Sequence, residues 1–170
     1  MTKFSIRQEV SDDIGAISAL LRQAFSDVPA SAQTEEEIVL ALREAGALTV
    51  SLVAEIQGRL VGYAAASPVS FSDGSEYWYG LGPVAVAPMY QGRGVGSRLI
   101  QGVLDNLRHH GAAGCAVLGD PNYYGRFGFQ SLPYLSFPGV TGEYFQVLPL
   151  ANNTPKGEVS YHRAFTLASA

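Results

Sequence analysis

Apolar and polar residues change period several times along this chain, and each change marks an element. Residues 4–7 alternate, as a half-buried strand does. The spacing then becomes helical. Ile14, Ile17, Leu20, Leu21 and Ala24 share one face, predicting an amphipathic helix over 12–25 with Ser11 as N-cap and Asp12 and Asp13 in its first turn. Pro29 and its small neighbours predict an interruption. Thr34 with Glu37 three residues on is a capping-box pattern, so a second helix is expected from there. Ile38, Ala41, Leu42 and Ala45 line one face of it and Gly46 ends it. Residues 48–55 and 59–66 read as strands joined by the tight connection Ile56-Gln57-Gly58. Asp73-Gly74 marks another turn before the run 76–87. Tight hairpins join antiparallel strands, so the N-terminal half is expected to be antiparallel.

Further on, Val95, Leu99, Val103 and Leu107 recur every four residues, predicting a helix that ends near His109-His110-Gly111. Residues 112–118 form a nearly continuous apolar run, as a central strand buried on both faces would. A strand–helix–strand crossover of this length makes the strands on either side of the helix parallel. An aromatic-rich turn and a Pro-punctuated loop follow. Residues 143–148 and 158–165 read as closing strands joined by the polar loop 151–157. The predicted architecture is α/β: a mixed sheet of about seven strands flanked by helices, in a single domain over residues 1–170.

Composition narrows the function classes. The apolar fraction of 47% against 15% charged residues is that of a globular chain. No apolar run reaches the 18 or so residues of a membrane span, and the polar start lacks a signal-peptide core. A net charge of −4 argues against nucleic-acid binding, which usually needs a basic face. Cys115 is the single cysteine, which excludes an internal disulfide and fits a reducing cytoplasm. It lies in an apolar run and reads as a small buried hydrophobe rather than a nucleophile. His109 and His110 are adjacent, so they point to different faces and read as exposed helix-end charges. No other spacing suits a metal, and none is expected.

The stretch with chemistry in it is 82–96, Gly-Pro-Val-Ala-Val-Ala-Pro-Met-Tyr-Gln-Gly-Arg-Gly-Val-Gly. It reads as a short strand, a Pro-led turn, a loop with glycine at 92, 94 and 96, and a helix start. Glycines there permit positive φ and close approach of a ligand to the backbone. The following helix offers unpaired N–H groups and the positive end of its dipole, so the loop is an anion site, most often for phosphate. In a mixed sheet the ligand crevice lies beyond the carboxyl ends of the parallel strands. Asp120, Tyr123 and Tyr124 border that crevice on the other side. A tyrosine there is protonated at neutral pH and can donate to a leaving group, or the pair can be aromatic packing alone.

Val84-Ala-Val-Ala-Pro-x-x-Gln-Gly-Arg-Gly-Val-Gly96 resembles the acyl-CoA-binding motif of the GCN5-related N-acetyltransferases (GNAT), Gln/Arg-x-x-Gly-x-Gly/Ala, matched by Gln91, Gly94 and Gly96. Tyr124-Gly-Arg-Phe-Gly-Phe129 resembles the family's second signature, a Tyr followed four and five residues later by Gly128 and Phe129. Both motifs stand in the family's order, and Leu-Gly-Pro-Val-Ala-Val with Gly-Asp-Pro-x-Tyr-Tyr is most similar to a bacterial subgroup, the YhbS-like predicted acetyltransferases. The resemblance implies a GNAT fold whose parallel pair splays at an acyl-CoA cleft. It implies acetyl-CoA as co-substrate and a primary amine of a small molecule or peptide as acceptor, attacking the thioester directly. Backbone N–H groups of Gln91, Gly92, Arg93, Gly94, Val95, Gly96 and Ser97 would hold the pyrophosphate. The strand Val84, Ala85 and Val86 would pair with the pantetheine arm, Val86 N–H would face the oxyanion, and Tyr124 would protonate the thiolate. The expected assembly is a monomer or homodimer.

Departures from the family pattern leave the general base open. Val117 and Asp120 stand where many members have Asn and Ala, which predicts a helix before Tyr124 shortened by Pro121. Glu76, Asp120 and a water chain are the candidates, with Glu76 preferred because it leads into the strand beside the cleft. Arg93 is open between phosphate contact and solvation, and Arg126 reads as a surface or hairpin residue. The competing functions are a non-catalytic acyl-CoA sensor of the same fold and a dinucleotide-binding domain with Asp120 on the ribose. Ser97 stands where the last glycine of that dinucleotide fingerprint belongs, and the antiparallel first half also speaks against it.

Overall fold

The computed structural model describes residues 3–27 and 29–169, and the side chains of all of these except 29–33 and 167–169. The polar chain start, expected to lack a signal-peptide core, lies partly outside the described residues. Eight strands make one sheet in the order β1-β2-β3-β4-β5-β7, with β8 pairing β3 and β6 pairing β8. They are β1 (Ser5–Gln8), β2 (Val50–Ile56), β3 (Arg59–Phe71), β4 (Trp78–Val86), β5 (Gly114–Leu118), β6 (Leu135–Ser136), β7 (Phe145–Pro149) and β8 (Gly157–Tyr161). The helices are α1 (Ile14–Ala24), α2 (Pro29–Glu44), α3 (Val95–His109) and the single turn α4 (Pro121–Tyr124). Among the described residues no helix is long and apolar enough to cross a membrane.

The β1 to β4 half is antiparallel, as the hairpin signals require. Gln57 and Gly58 carry φ of 49° and 79°, the two positive values of a two-residue hairpin turn whose twist suits the strands it joins. One face of the sheet is covered by α3, whose Leu99, Ile100, Val103 and Leu107 are fully buried against Leu52, Ala54, Ala64 and Ala66. α1 covers the other face, packing Ile17, Leu20 and Leu21 on Val53, Tyr63 and Ala65. A third cluster around Trp78, Phe71 and Phe145 fills the end of the sheet beneath β8.

Three local expectations give way to longer-range contacts. Ser11 does not cap α1; it lies in the 3₁₀ turn Ser11–Asp13. Asp13 accepts from the Val10 amide at 2.7 Å and from Arg7 at 2.8 and 3.0 Å. The Arg7 hydrogen bonds hold the Asp13 carboxyl below its ordinary range. Pro29 does not interrupt a helix but begins one, where its missing N–H costs nothing, and Thr34 sits inside α2 rather than at its cap. Gly46 (φ 69°) ends α2 as expected, with Ala47 N–H reaching back to Leu42 C=O at 2.8 Å. The two closing strands do not pair with each other. β7 lies on β5, while β8 crosses to β3 and occupies the edge beyond the point where β2 ends.

Candidate active site

The cleft starts from a short pairing. β4 and β5 run parallel but pair only through Trp78, Tyr79 and Gly80 against Gly114, Cys115 and Ala116. Beyond Gly80, β4 bulges: Leu81 faces Ala66 and Val84 faces Ala64, so Gly82 and Pro83 together stand opposite the single residue Ala65. Gly82 has φ 145°, a conformation that favours glycine. β5 meanwhile keeps its register with β7 as far as Leu118 against Phe145. The two parallel strands therefore separate, and β4 is left with an open edge from Leu81 onward.

Alternation decides which groups occupy that edge. Ala87 N–H donates to Val61 C=O at 2.8 Å, so Ala85, two residues earlier, also directs its N–H and C=O toward β3. Val84 and Val86 direct theirs the other way, into the gap. Gln91 Nε2 meets the Val86 carbonyl there at 3.1 Å and ties the glycine loop to the strand. Ala85 is thus no part of the cleft; its methyl is buried against α1.

The glycine loop borders a groove of about 400 Å³ lined by Val86, Tyr90, Gln91, Gly92, Gly94, Val95, Gly96, Ser97, Tyr123 and Arg126. Gly94 is the N-cap of α3 at φ 84°, and no side chain caps the helix, so its first N–H groups face the groove. Gly92 also has positive φ, 77°. Gly96 does not; a Cβ there would stand 3.1 Å from Tyr123 Oη, on the groove wall. Conformation fixes the first two glycines and space the third. Arg93 lies over the Tyr90 ring at 5.7 Å and Arg126 over Tyr123 at 5.1 Å; Arg126 is exposed, as a surface residue should be, and it also borders the groove.

A second cavity, of about 620 Å³, opens on the far side of the gap. Leu81, Gly82, Pro83 and Val84 of β4, Leu118 of β5 and Tyr124 face it from the cleft. Phe25, Thr34, Glu35 and Ile38 of the α1–α2 region and Phe137, Tyr161 and Phe165 of the C-terminal part close it. Tyr124 is held by short-range order. Asp120 caps α4 by accepting from the Asn122 amide at 2.9 Å, Pro121 is the first helical residue, and one turn later Tyr124 packs on Gly119. A Cβ at Gly119 would clash with the edge of the Tyr124 ring, standing 2.9 Å from Cδ2 and closer still to Cε2. Burial, with lesser contributions from Tyr123 and Cys115, pushes the Tyr124 phenol up to about 12, so it is protonated across the neutral range. Burial likewise pushes Cys115 up to about 12, which leaves it an inert core thiol.

The predicted carboxylates do not reach this site. Glu76 is exposed in the turn before β4, at the opposite end of that strand from the glycine loop, and lines neither cavity. Its offset of six residues from Gly82 corresponds to roughly 20 Å along an extended chain. Asp120 is exposed and engaged as the α4 cap. Phe25 and Phe137 thus reach this cavity from loops on either side, residues 68–79 do not line it, and the side chains of 28–33 lie outside the described residues. Glu35 was missed. The signal was available: Glu35 precedes Ile38 by three and Leu42 by seven residues, so it shares the buried face of α2.

This combination defines a class: a β-bulge splaying a parallel pair, an uncapped helix behind positive-φ glycines, and adjacent tyrosines that each line one of two cavities. Residues 15–129 match the Acetyltransferase (GNAT) family, and the chain belongs to that family. It is 39% identical over 168 residues to the uncharacterized N-acetyltransferase YhbS of Escherichia coli K12, covering 94% of this chain and 97% of that protein. The fold is similar to that of a GNAT family acetyltransferase from Brucella melitensis in complex with acetyl-CoA, with 45% identity, a TM-score of 0.85 and coverage of 97% and 99%. It is similar also to E. coli YhbS in complex with CoA, with 38% identity, a TM-score of 0.88 and coverage of 98% of this chain and 93% of YhbS.

Proposed function

We propose that this protein transfers an acetyl group from acetyl-CoA to a primary amine, within one domain and in a reducing cytoplasm. The observation that carries the reading is that alternate residues of one splayed strand and adjacent tyrosines line two cavities, Val86 and Tyr123 one and Val84 and Tyr124 the other. The residues present suit the co-substrate. Positive-φ glycines and the free N–H groups of α3 offer a pyrophosphate cradle, Arg126 adds a cation, and the outward Val84 and Val86 groups can pair with an extended amide chain. Acetyl-CoA, when bound, supplies an acyl thioester.

The chain's own groups then divide the work. Val86 N–H points into the gap and stabilises charge developing on the carbonyl oxygen. The neutral amine nitrogen bonds to the acyl carbon as the carbon–sulfur bond breaks. Tyr124, protonated at neutral pH, gives its proton to the departing sulfur, and its phenolate regains the proton that the amine nitrogen sheds, directly or through water. The second cavity orients the amine on the opposite side of the strands. Crystal complexes of relatives with acetyl-CoA and with CoA support the donor assignment. Thiol release from acetyl-CoA, followed across a panel of primary amines, tests the proposal. Amine-dependent release is expected. Tight CoA binding without turnover on any amine would favour an acyl-CoA sensor of the same fold.

A further inference from the structure

We propose that the acceptor carries a non-reacting cation besides the primary amine that is acetylated, and that Glu35 pairs with that cation; this rests on the acetyl-transfer reading above. Among the described residues lining the acceptor cavity, Glu35 carries the sole charged side chain. It is half-buried, and it makes no hydrogen bond or ion pair with any described residue. Burying a carboxylate beside apolar walls is costly without a cation, and the described lining residues supply none. The neighbouring acids are otherwise placed: Glu36 pairs with Arg22 at 3.3 Å and Glu37 is exposed. α2 is itself clamped to the sheet, since Arg43 meets the Glu9 carboxylate at 3.0 and 3.1 Å. Glu35 therefore faces the cavity from a fixed helix and awaits a cation that the ligand must bring.

The attacking nitrogen cannot be that cation. It needs a free lone pair to bond to the acyl carbon, and pairing its ammonium with Glu35 would hold it in the unreactive form. The charge therefore belongs to a second group on the same molecule. The cavity has room for both ends: Val84 and Tyr124 line the part of its wall beside the splayed strands, and Glu35 lines the same space of about 620 Å³ from α2. Phe137, Tyr161 and Phe165 form one aromatic row in that wall, with successive ring centroids 5.5 and 5.3 Å apart. Aromatic faces attract a desolvated cation and tolerate alkyl groups on it, so the second centre can be an alkylated ammonium as well as a primary one. Its charge also lowers the pKa of the reacting amine by repulsion, which enlarges the neutral fraction. An amino acid's carboxylate, by contrast, would find no basic partner among the described lining residues and would meet Glu35. The acceptor class is a small alkyl diamine. Burial raises the Glu35 pKa, and a paired cation favours its ionised form.

Acetylation of (aminobutyl)trimethylammonium should be measured against its carbon isostere, in which a tert-butyl group replaces trimethylammonium, with shorter and longer homologues of both. The quaternary nitrogen can neither react nor lose a proton, so the comparison isolates the second cation. The charged probe should have the higher kcat/KM at its best length. Glu35→Gln should lower its kcat/KM on the order of 10- to 100-fold, through KM more than kcat, while the isostere changes by about twofold or less and CoA affinity is kept; Glu35→Asp should recover part of the loss. Preference for the isosteres in the wild-type protein, or a Glu35→Gln effect equal for both probes, would overturn the assignment while leaving acetyl transfer intact. Calorimetry of the charged probes on the CoA-saturated protein separates the two readings. Glu35-dependent binding without acetylation would support the cation site and count against acetyl transfer. Neither binding nor turnover of any charged probe would overturn the inference.

Discussion

Tyr123 and Tyr124 stand edge to face, ring centroids 5.0 Å apart and planes at 84°, and look into different cavities. Successive residues of a single helical turn thus serve both halves of the cleft. Tyr123 joins Arg126 and Gly96 at the glycine-loop groove, while Tyr124 lies between β4 and the acceptor side. The T-shaped contact locks each ring against the other, and Phe127 and Phe129 extend the packing.

The glycine loop gives a graded prediction. Gly92→Ala and Gly94→Ala force a side chain into positive φ, costing about 1 to 2 kcal/mol each in local conformation. Both should weaken CoA binding, and Gly94→Val should weaken it further by adding branched bulk at the helix start. Gly96→Ala should act differently. It keeps the backbone but crowds Tyr123 Oη, so its affinity loss should be partly relieved in a Gly96→Ala/Tyr123→Phe double variant. Calorimetric CoA titrations of the series test this; equal losses for all single variants, without relief in the double one, would contradict it.

Gly119 is expected to be a positioning residue for Tyr124. A methyl there overlaps the phenol ring, while the Gly119 backbone is held by Tyr144 C=O at 3.0 Å and Gln146 Nε2 at 3.1 Å. The strand end cannot yield, so the ring must. Gly119→Ala should lower kcat by tenfold or more, on the order of what a 1 Å misplacement costs, with CoA affinity nearly unchanged. Unaltered kcat would show that the ring has no fixed working position.

How far the chain could be read in advance follows from how local each feature is. The glycine loop, the Gln57–Gly58 hairpin, the α3 face and the Pro121-shortened turn before Tyr124 are set by neighbours within a few residues, and each stands as expected. What escaped depends on distant partners. Ser11 lost its capping role because Arg7 orients Asp13, and β8 left β7 for the edge of β3 that β2 vacates. Glu76 was preferred for its place before β4, but direction along the strand matters: the cleft opens at the other end. Arg126 and Glu35 enter the two cavities only once α4 and α2 are packed against the sheet.

Alkaline stability should fall. Burial pushes Cys115 and Tyr124 up to about 12 and raises Tyr63 and Tyr161 as well. The unfolded thiol and phenols release protons near pH 8.5 and 10, whereas the folded groups retain theirs. The native state then binds more protons than the unfolded one, so unfolding becomes easier as pH rises, by about 1.4 kcal/mol per unit for each such group. Tm measured from pH 8 to 11.5 should drop with increasing slope above 10. A flat Tm across that window would contradict the buried state of these groups.

The most direct measurement of the central claim is the pair kcat and CoA Kd for Tyr124→Phe, taken with an amine that the wild-type protein acetylates. The phenol is expected to serve the acceptor side of the cleft as proton donor and to leave the phosphate groove untouched. The predicted result is a fall in kcat on the order of 100-fold or more with CoA affinity and Tm preserved. Wild-type kcat in the variant would contradict the account.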